Sequence, residues 1–130
     1  MQKIALVEDE KDLNDLIRAY LEKEGYEVTS YYNGKDAIDN VNKEYHLWIL
    51  DIMLGDDISG YDIIKKVREY NADMPVIFTS ARDKELDKII GLELGSDDYV
   101  TKPYSPKELV LRVNNIMRRV YTKDKQNITY

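Results

Sequence analysis

The sequence predicts an α/β fold: five parallel strands in one twisted sheet, with helices packed on both of its faces. Three observations carry this expectation. Short apolar runs alternate strictly with amphipathic helical patterns, giving five β/α pairs. The strand runs are nearly continuous in apolar character, as strands covered on both faces must be. The chain has 130 residues, which suits one domain around one sheet, and five units are too few to close a barrel.

The first strand is read at Ile4–Val7. Leu13, Leu16, Ile17, Tyr20 and Leu21 then recur at helical spacing, and Gly25 stops that helix. Tyr26–Tyr32, rich in Tyr and Val, reads as the second strand, followed by a weaker helical stretch over about Lys35–Glu44. Leu47–Leu50 is the third strand; Trp48 belongs to the core, and His46, the only histidine, precedes it. Ile63, Ile64, Val67 and Tyr70 form the next helical stripe, before Pro75. Val76–Phe78 is the fourth strand, Lys84–Leu94 a weak helix closed by Gly95, and Tyr99–Val100 the fifth strand. Leu109, Val113, Ile116, Met117 and Val120 mark the last helix. Right-handed crossovers then favour a doubly wound sheet, a (βα)5 flavodoxin-like arrangement with strand order 2-1-3-4-5.

Composition narrows the function classes. With no Cys, thiolate metal sites and disulfides are excluded, and a reducing compartment is expected. The start of the chain lacks the apolar core of a signal peptide, and no apolar run reaches membrane-spanning length, so a cytoplasmic protein without membrane contact is expected. The net charge of −6 is uneven: residues 105–130 carry +4, which leaves −10 on residues 1–104. An acidic body repels phosphate backbones, so this domain is not expected to bind nucleic acid itself.

In an open parallel sheet the working crevice lies beyond the carboxyl ends of the strands. The first strand ends in Glu8-Asp9-Glu10, the third in Asp51, the fourth in Thr79-Ser80-Ala81 and the fifth in Thr101-Lys102-Pro103. With strands one and three adjacent, Glu8, Asp9 and Asp51 come together. Two carboxylates at about 4 Å repel by about 4 kcal/mol at an effective dielectric of about 20, so a positive group must join them. Lys102 is one candidate, and a hard divalent cation such as Mg²⁺ is the other. Taken singly, Glu8 or Glu10 reads as a helix cap.

Together with Ile4–Glu10, Leu50–Leu54, Pro75–Arg82 and Gly91–Tyr104, these residues give the chain a clear relationship. Over residues 2–120 it resembles the receiver domain of bacterial response regulators, in particular the OmpR/PhoB family of two-component systems. The resemblance implies that Asp51 is the phosphoacceptor, taking a phosphoryl group from the phosphohistidine of a sensor histidine kinase. It implies Mg²⁺ held by Glu8, Asp9, Asp51 and the backbone carbonyl of Met53. Lys102 and Ser80 would meet phosphoryl oxygens, and Ala81 would leave room for the group. Ser80 and Tyr99 would form the switch, Tyr99 turning inward as Ser80 moves. The family also has a cis peptide before Pro103. The chain departs from the usual pattern at Glu8, where Asp is commoner, at Gly55, where Pro is usual, and at Ser80, where Thr is usual. The loop from Gly55 to Gly60 is one residue longer than typical and is expected to be more mobile.

The resemblance further implies dimerisation on phosphorylation through the face made by the fourth helix, fifth strand and fifth helix. Pairing by position gives Lys88 with Glu108, Asp98 with Arg112 and Asp97 with Arg119. Residues 1–120 are the expected receiver domain and 121–130 a tail or linker toward a winged-helix domain, through which alone DNA would be bound; a stand-alone receiver is the other possibility. No enzyme activity is expected beyond the domain's own phosphoryl transfer and slow autodephosphorylation. Three rivals remain. A Mg²⁺-dependent phosphohydrolase would want an acid two residues after Asp51, where Met53 stands. A pseudo-receiver would have no use for the acids, Ser80 and Lys102. A flavin-binding protein would need a Ser-, Thr- and Gly-rich first loop where Glu8-Asp9-Glu10 stands.

Overall fold

A computed structural model describes residues 1–55, 57–81 and 98–121. The chain runs β1 (Lys3–Val7), α1 (Lys11–Lys23), β2 (Glu27–Tyr31), α2 (Gly34–Ile38), β3 (Leu47–Asp51), α3 (Gly60–Tyr70), β4 (Val76–Ser80), β5 (Asp98–Thr101) and α4 (Pro106–Tyr121). All strands are parallel, in the order β2-β1-β3-β4-β5. The order and the parallel pairing are those expected from the sequence. The expected helix at Lys84–Leu94 lies outside the described residues, as does the tail after Tyr121.

The apolar runs split between the two faces because strand side chains alternate. Ala5, Val7, Trp48, Leu50 and Phe78 point toward α3 and its Ile63, Ile64 and Val67. Ile4, Leu6, Leu47, Ile49, Ile77 and Val100 point the other way, against Ile17 and Leu21 of α1 and Leu109, Val113 and Ile116 of α4. Trp48 and Phe78 are wholly buried, and each buried side chain of this size contributes about 1.5–3 kcal/mol.

Several stripe residues fall elsewhere than expected. Leu16, Tyr70 and Val120 are exposed, at 46 %, 65 % and 39 %, because each lies at the margin of its stripe, turned past the sheet. The buried face of α1 takes Asn14 instead, whose amide donates to the carbonyls of Glu8 (3.0 Å) and Tyr31 (3.1 Å). Polar Asn14 has no place in an apolar stripe, yet it ties α1 to the ends of β1 and β2. The second helix is shorter than Lys35–Glu44. It ends at Ile38, and the Asn40 amide folds back on the Asp36 carbonyl (2.7 Å) while the next N–H groups turn onto carbonyls three residues back. Asn and Asp compete with the helix in this way. Among the described residues, no helix is long and apolar enough to cross a membrane.

Candidate functional site

Register builds the site. Val7 of β1 lies beside Leu50 of β3, so the next residues, Glu8 and Asp51, reach the same sheet edge side by side. Glu8 N–H still donates to the Tyr31 carbonyl at 3.1 Å, which holds it on the ladder, and Asp51 is paired with Thr79. On the far side, Ser80 pairs with Thr101, and Lys102 N–H donates to the Ser80 carbonyl at 2.7 Å. The Lys102–Pro103 peptide is cis, as the resemblance implied. Behind Asp51, α3 begins so close that a Cβ on Gly60 would sit 2.6 Å from the Asp51 carbonyl oxygen. Ser59 starts that helix with a reciprocal capping box to Asp62.

Glu8 and Asp51 are both buried, at 1 % and 3 % exposure, whereas Asp9 is exposed. One carboxylate oxygen from each of Glu8, Asp9 and Asp51 lies within 4.8 Å of the others. The Lys102 ammonium bridges the two buried acids, 2.6 Å from Glu8 Oε1 and 3.1 Å from Asp51 Oδ2. Of the two positive partners considered from sequence, the lysine is therefore in place. Glu8 Oε2 accepts from Glu10 N–H at 2.9 Å, and Asp51 Oδ1 accepts from Met53 N–H at 3.3 Å. Glu10 is the N-cap residue of α1, but neither Glu8 nor Glu10 makes the side-chain cap that each alone would suggest.

One ammonium does not offset this burial. Desolvation lifts the Glu8 carboxyl to about 7, against the partly compensating bond from Lys102, with the Asp51 charge adding to the rise. Desolvation raises Asp51 as well, and the Lys102 charge opposes it. Burial alone would weaken the Lys102 ammonium, but its bond to Glu8 and the charge of Asp51 hold its pKa above the usual value. The donor set of hard oxygens with excess negative charge fits a small divalent cation. Asp9 makes no hydrogen bond or ion pair among the described residues, whereas both Glu8 oxygens are engaged. Gly55, at φ +74°, brings the following loop against this edge: a Cβ there would lie 3.2 Å from Asp9 Oδ2.

Ser80 is fully buried next to the cluster, and Tyr99 is half-buried on β5 against the aromatic side of the core. Arg112 of α4 holds Asp98 (2.6 Å) and Glu108 (3.1 Å) within one chain. Lys88 and Asp97 lie outside the described residues, so the pairs assigned to Glu108 and Arg119 have no described counterpart. Sequence reasoning passed over two residues. Asn14 sat in a stripe of leucines, and Tyr104, which lines a pocket with Lys102 and whose hydroxyl is buried, followed a motif that drew all attention to the lysine.

A doubly wound parallel sheet thus gathers an acid cluster and a lysine at its carboxyl edge, where folds of this class place their working crevice. The chain belongs to the response regulator receiver domain family, whose model matches residues 4–114. It is 51 % identical over 118 residues to the transcriptional regulatory protein CssR of Bacillus subtilis, covering 91 % of this chain and 52 % of that protein. It is 43 % identical to the response regulator SaeR of Staphylococcus epidermidis, covering 98 % of this chain and 55 % of SaeR. The chain thus spans about half the length of these relatives. Among solved structures, the receiver domain of a Francisella response regulator superposes with a TM-score of 0.84 at 36 % identity, covering 92 % of this chain and 98 % of that one. DrrB, an OmpR/PhoB homologue from Thermotoga maritima, gives 0.83 at 34 % identity, over 92 % of this chain and 54 % of DrrB.

Proposed function

We propose that this chain is the phosphoacceptor domain of a two-component response regulator, with Asp51 as acceptor. An Asp51 carboxylate oxygen attacks the phosphorus of a phosphohistidine on a sensor histidine kinase; the O–P bond forms as the P–N bond breaks, and the histidine leaves with its electron pair. The observation that carries this reading is the meeting of Glu8, Asp9 and Asp51 within 4.8 Å, two of them bridged by Lys102. Asp9 and Asp51, Glu8 through water, and the Met53 carbonyl would hold Mg²⁺, which supplies neutralising charge for the phosphoryl oxygens. Lys102, already on Asp51, would follow the negative charge onto the new group, and Ser80 would donate its hydroxyl. A receiver of this kind catalyses only its own transfer and slow autodephosphorylation.

The output belongs to the same reading. Inward rotation of Tyr99 with Ser80 would alter the face that holds Asp98, Glu108, Arg112 and Arg119, promoting a homodimer with Lys88 and Asp97 contributing. Residues 1–120 form the receiver and 121–130 lead toward a DNA-binding domain that would regulate transcription in the cytoplasm. CssR, named as a transcriptional regulatory protein, supports that output. The test is intact mass after incubation with Mg²⁺ and acetyl phosphate. One phosphoryl group is gained by the unchanged protein and none by Asp51→Ala; catalytic turnover of small phosphate esters instead would favour a phosphohydrolase, and no gain at all a pseudo-receiver.

A further inference from the structure

Gly34, the first residue of α2, is buried, and its place is set by space rather than by backbone conformation. A Cβ there would lie 2.7 Å from Ile58 Cβ, 2.8 Å from Ile58 Cγ2 and 3.1 Å from the Ile58 carbonyl oxygen. Carbon atoms in contact settle at about 3.5–4.0 Å, so any side chain on residue 34 must part α2 from the loop that follows β3. No rotamer of Ile58 relieves the clash, because its Cβ and carbonyl move only with the backbone.

Of the two partners, the helix is the better anchored. Asn33 caps it, its Oδ1 accepting from Asp36 N–H at 2.8 Å, and Ala37 is wholly buried in the core. The loop carries Gly55 at φ +74°, a freedom that its own sequence does not restrain. Ile58 packs on the core from the loop side, and it stands between the two points at which this loop meets the acids. At one, a Cβ on Gly55 would lie 3.2 Å from Asp9 Oδ2; at the other, Gly60 backs onto the Asp51 carbonyl and donates its N–H to the Ile52 carbonyl at 3.0 Å.

We propose that Gly34 is a positioning residue of the site: by admitting Ile58 against the first turn of α2 it seats the loop, and the seated loop holds Asp51 and Asp9 in place for the cation. That the acids take a cation rests on the phosphoacceptor reading above; the seating of the loop does not.

Calorimetric titration of Mg²⁺ into the folded, phosphate-free chain tests the effect on the acids. Gly34→Ala is expected to weaken binding about tenfold, the low end for a residue that supports ligands from behind. In an Ile58→Gly background, where the opposing Cβ is gone, the same substitution should change the affinity by less than about twofold. An equal loss in both backgrounds, or unchanged affinity in the first, overturns the proposal. Amide hydrogen exchange without metal reads the loop itself. In Gly34→Ala the Gly60 N–H should exchange about tenfold faster, while Trp48 N–H, bonded to the Pro75 carbonyl at 3.1 Å inside the sheet, keeps its rate. A parallel rise at both amides, as general destabilisation would give, or no rise at Gly60, overturns the proposal. Ile58→Ala loosens the seat from the opposite side without crowding and stands in if Gly34→Ala does not fold; it should speed Gly60 exchange and weaken Mg²⁺, and absence of both effects is equally fatal. If the unchanged chain takes up no Mg²⁺, that counts against the phosphoacceptor reading, and exchange at Gly60 still decides on Gly34.

Discussion

Glu8 is buried at 1 % exposure with its carboxyl lifted to about 7 from an ordinary 4.5, so the folded chain holds the Glu8 proton more tightly than the unfolded one. Between those two values the folded state binds more protons, and stability therefore falls as pH rises through the window. Below 4.5 both states are protonated and the effect vanishes; above 7 both are ionised and the penalty is constant. At about 1.4 kcal/mol per unit, the shift sets a limiting penalty of about 3 kcal/mol, most of which develops between pH 5 and 8. Asp51, also raised by burial, acts in the same direction from a lower starting pH. The perturbation is Glu8→Gln, which keeps the shape and removes the titration. Urea unfolding, followed by the emission of buried Trp48, is measured at pH 5, 6, 7 and 8 without divalent cations. The unchanged chain should lose on the order of 2–3 kcal/mol more over this range than Glu8→Gln does. Millimolar Mg²⁺ should recover most of that loss in the unchanged chain and little in the variant. Parallel pH profiles for the two proteins would refute the claim that Glu8 is buried against its charge.

Two further outcomes follow from the same geometry. Asp51→Asn removes a carboxylate whose ionised form disfavours folding, so at pH 8 without cations its urea midpoint should rise above that of the unchanged chain, while its response to Mg²⁺ is lost. Gly60→Ala sets a methyl group 2.6 Å from the Asp51 carbonyl oxygen, and should cost on the order of 2 kcal/mol in urea unfolding and slow phosphorylation by displacing Asp51.

Much of the fold is legible because a parallel sheet covered on both faces must be written in apolar runs. Ile4–Val7, Leu47–Leu50 and Val76–Phe78 could be nothing else at their length and spacing, and the parallel order follows from the helices between them. The ends of elements are less legible, since local polar groups decide them. Asn40 closes α2 early by bonding to Asp36, a contest between side chain and backbone that periodicity does not register. Leu16 and Tyr70 look like core residues in a helical stripe, but the stripe is wider than the face the sheet can cover. Asn14 shows the reverse, a polar residue buried because two strand ends need a donor.

At the site, residue types were legible and partnerships were not. Strand ends place Glu8, Asp51 and Lys102 together once the strand order is known, because neighbouring parallel strands end at one edge. Which oxygen takes the ammonium depends on side-chain torsions that no sequence pattern encodes. That residual freedom has a physical consequence. Two buried carboxylates share one lysine, so neither is fully compensated, and a third acid stands exposed beside them. A core built for stability alone would replace such a pair with apolar side chains at little cost. Keeping it leaves the edge of the sheet under electrostatic tension that a cation relieves and that Lys102 can redistribute. A site already compensated would gain little from an added charge. Lys102, whose ammonium bridges both buried acids, is also tied by its backbone N–H to the Ser80 carbonyl, where β4 and β5 meet.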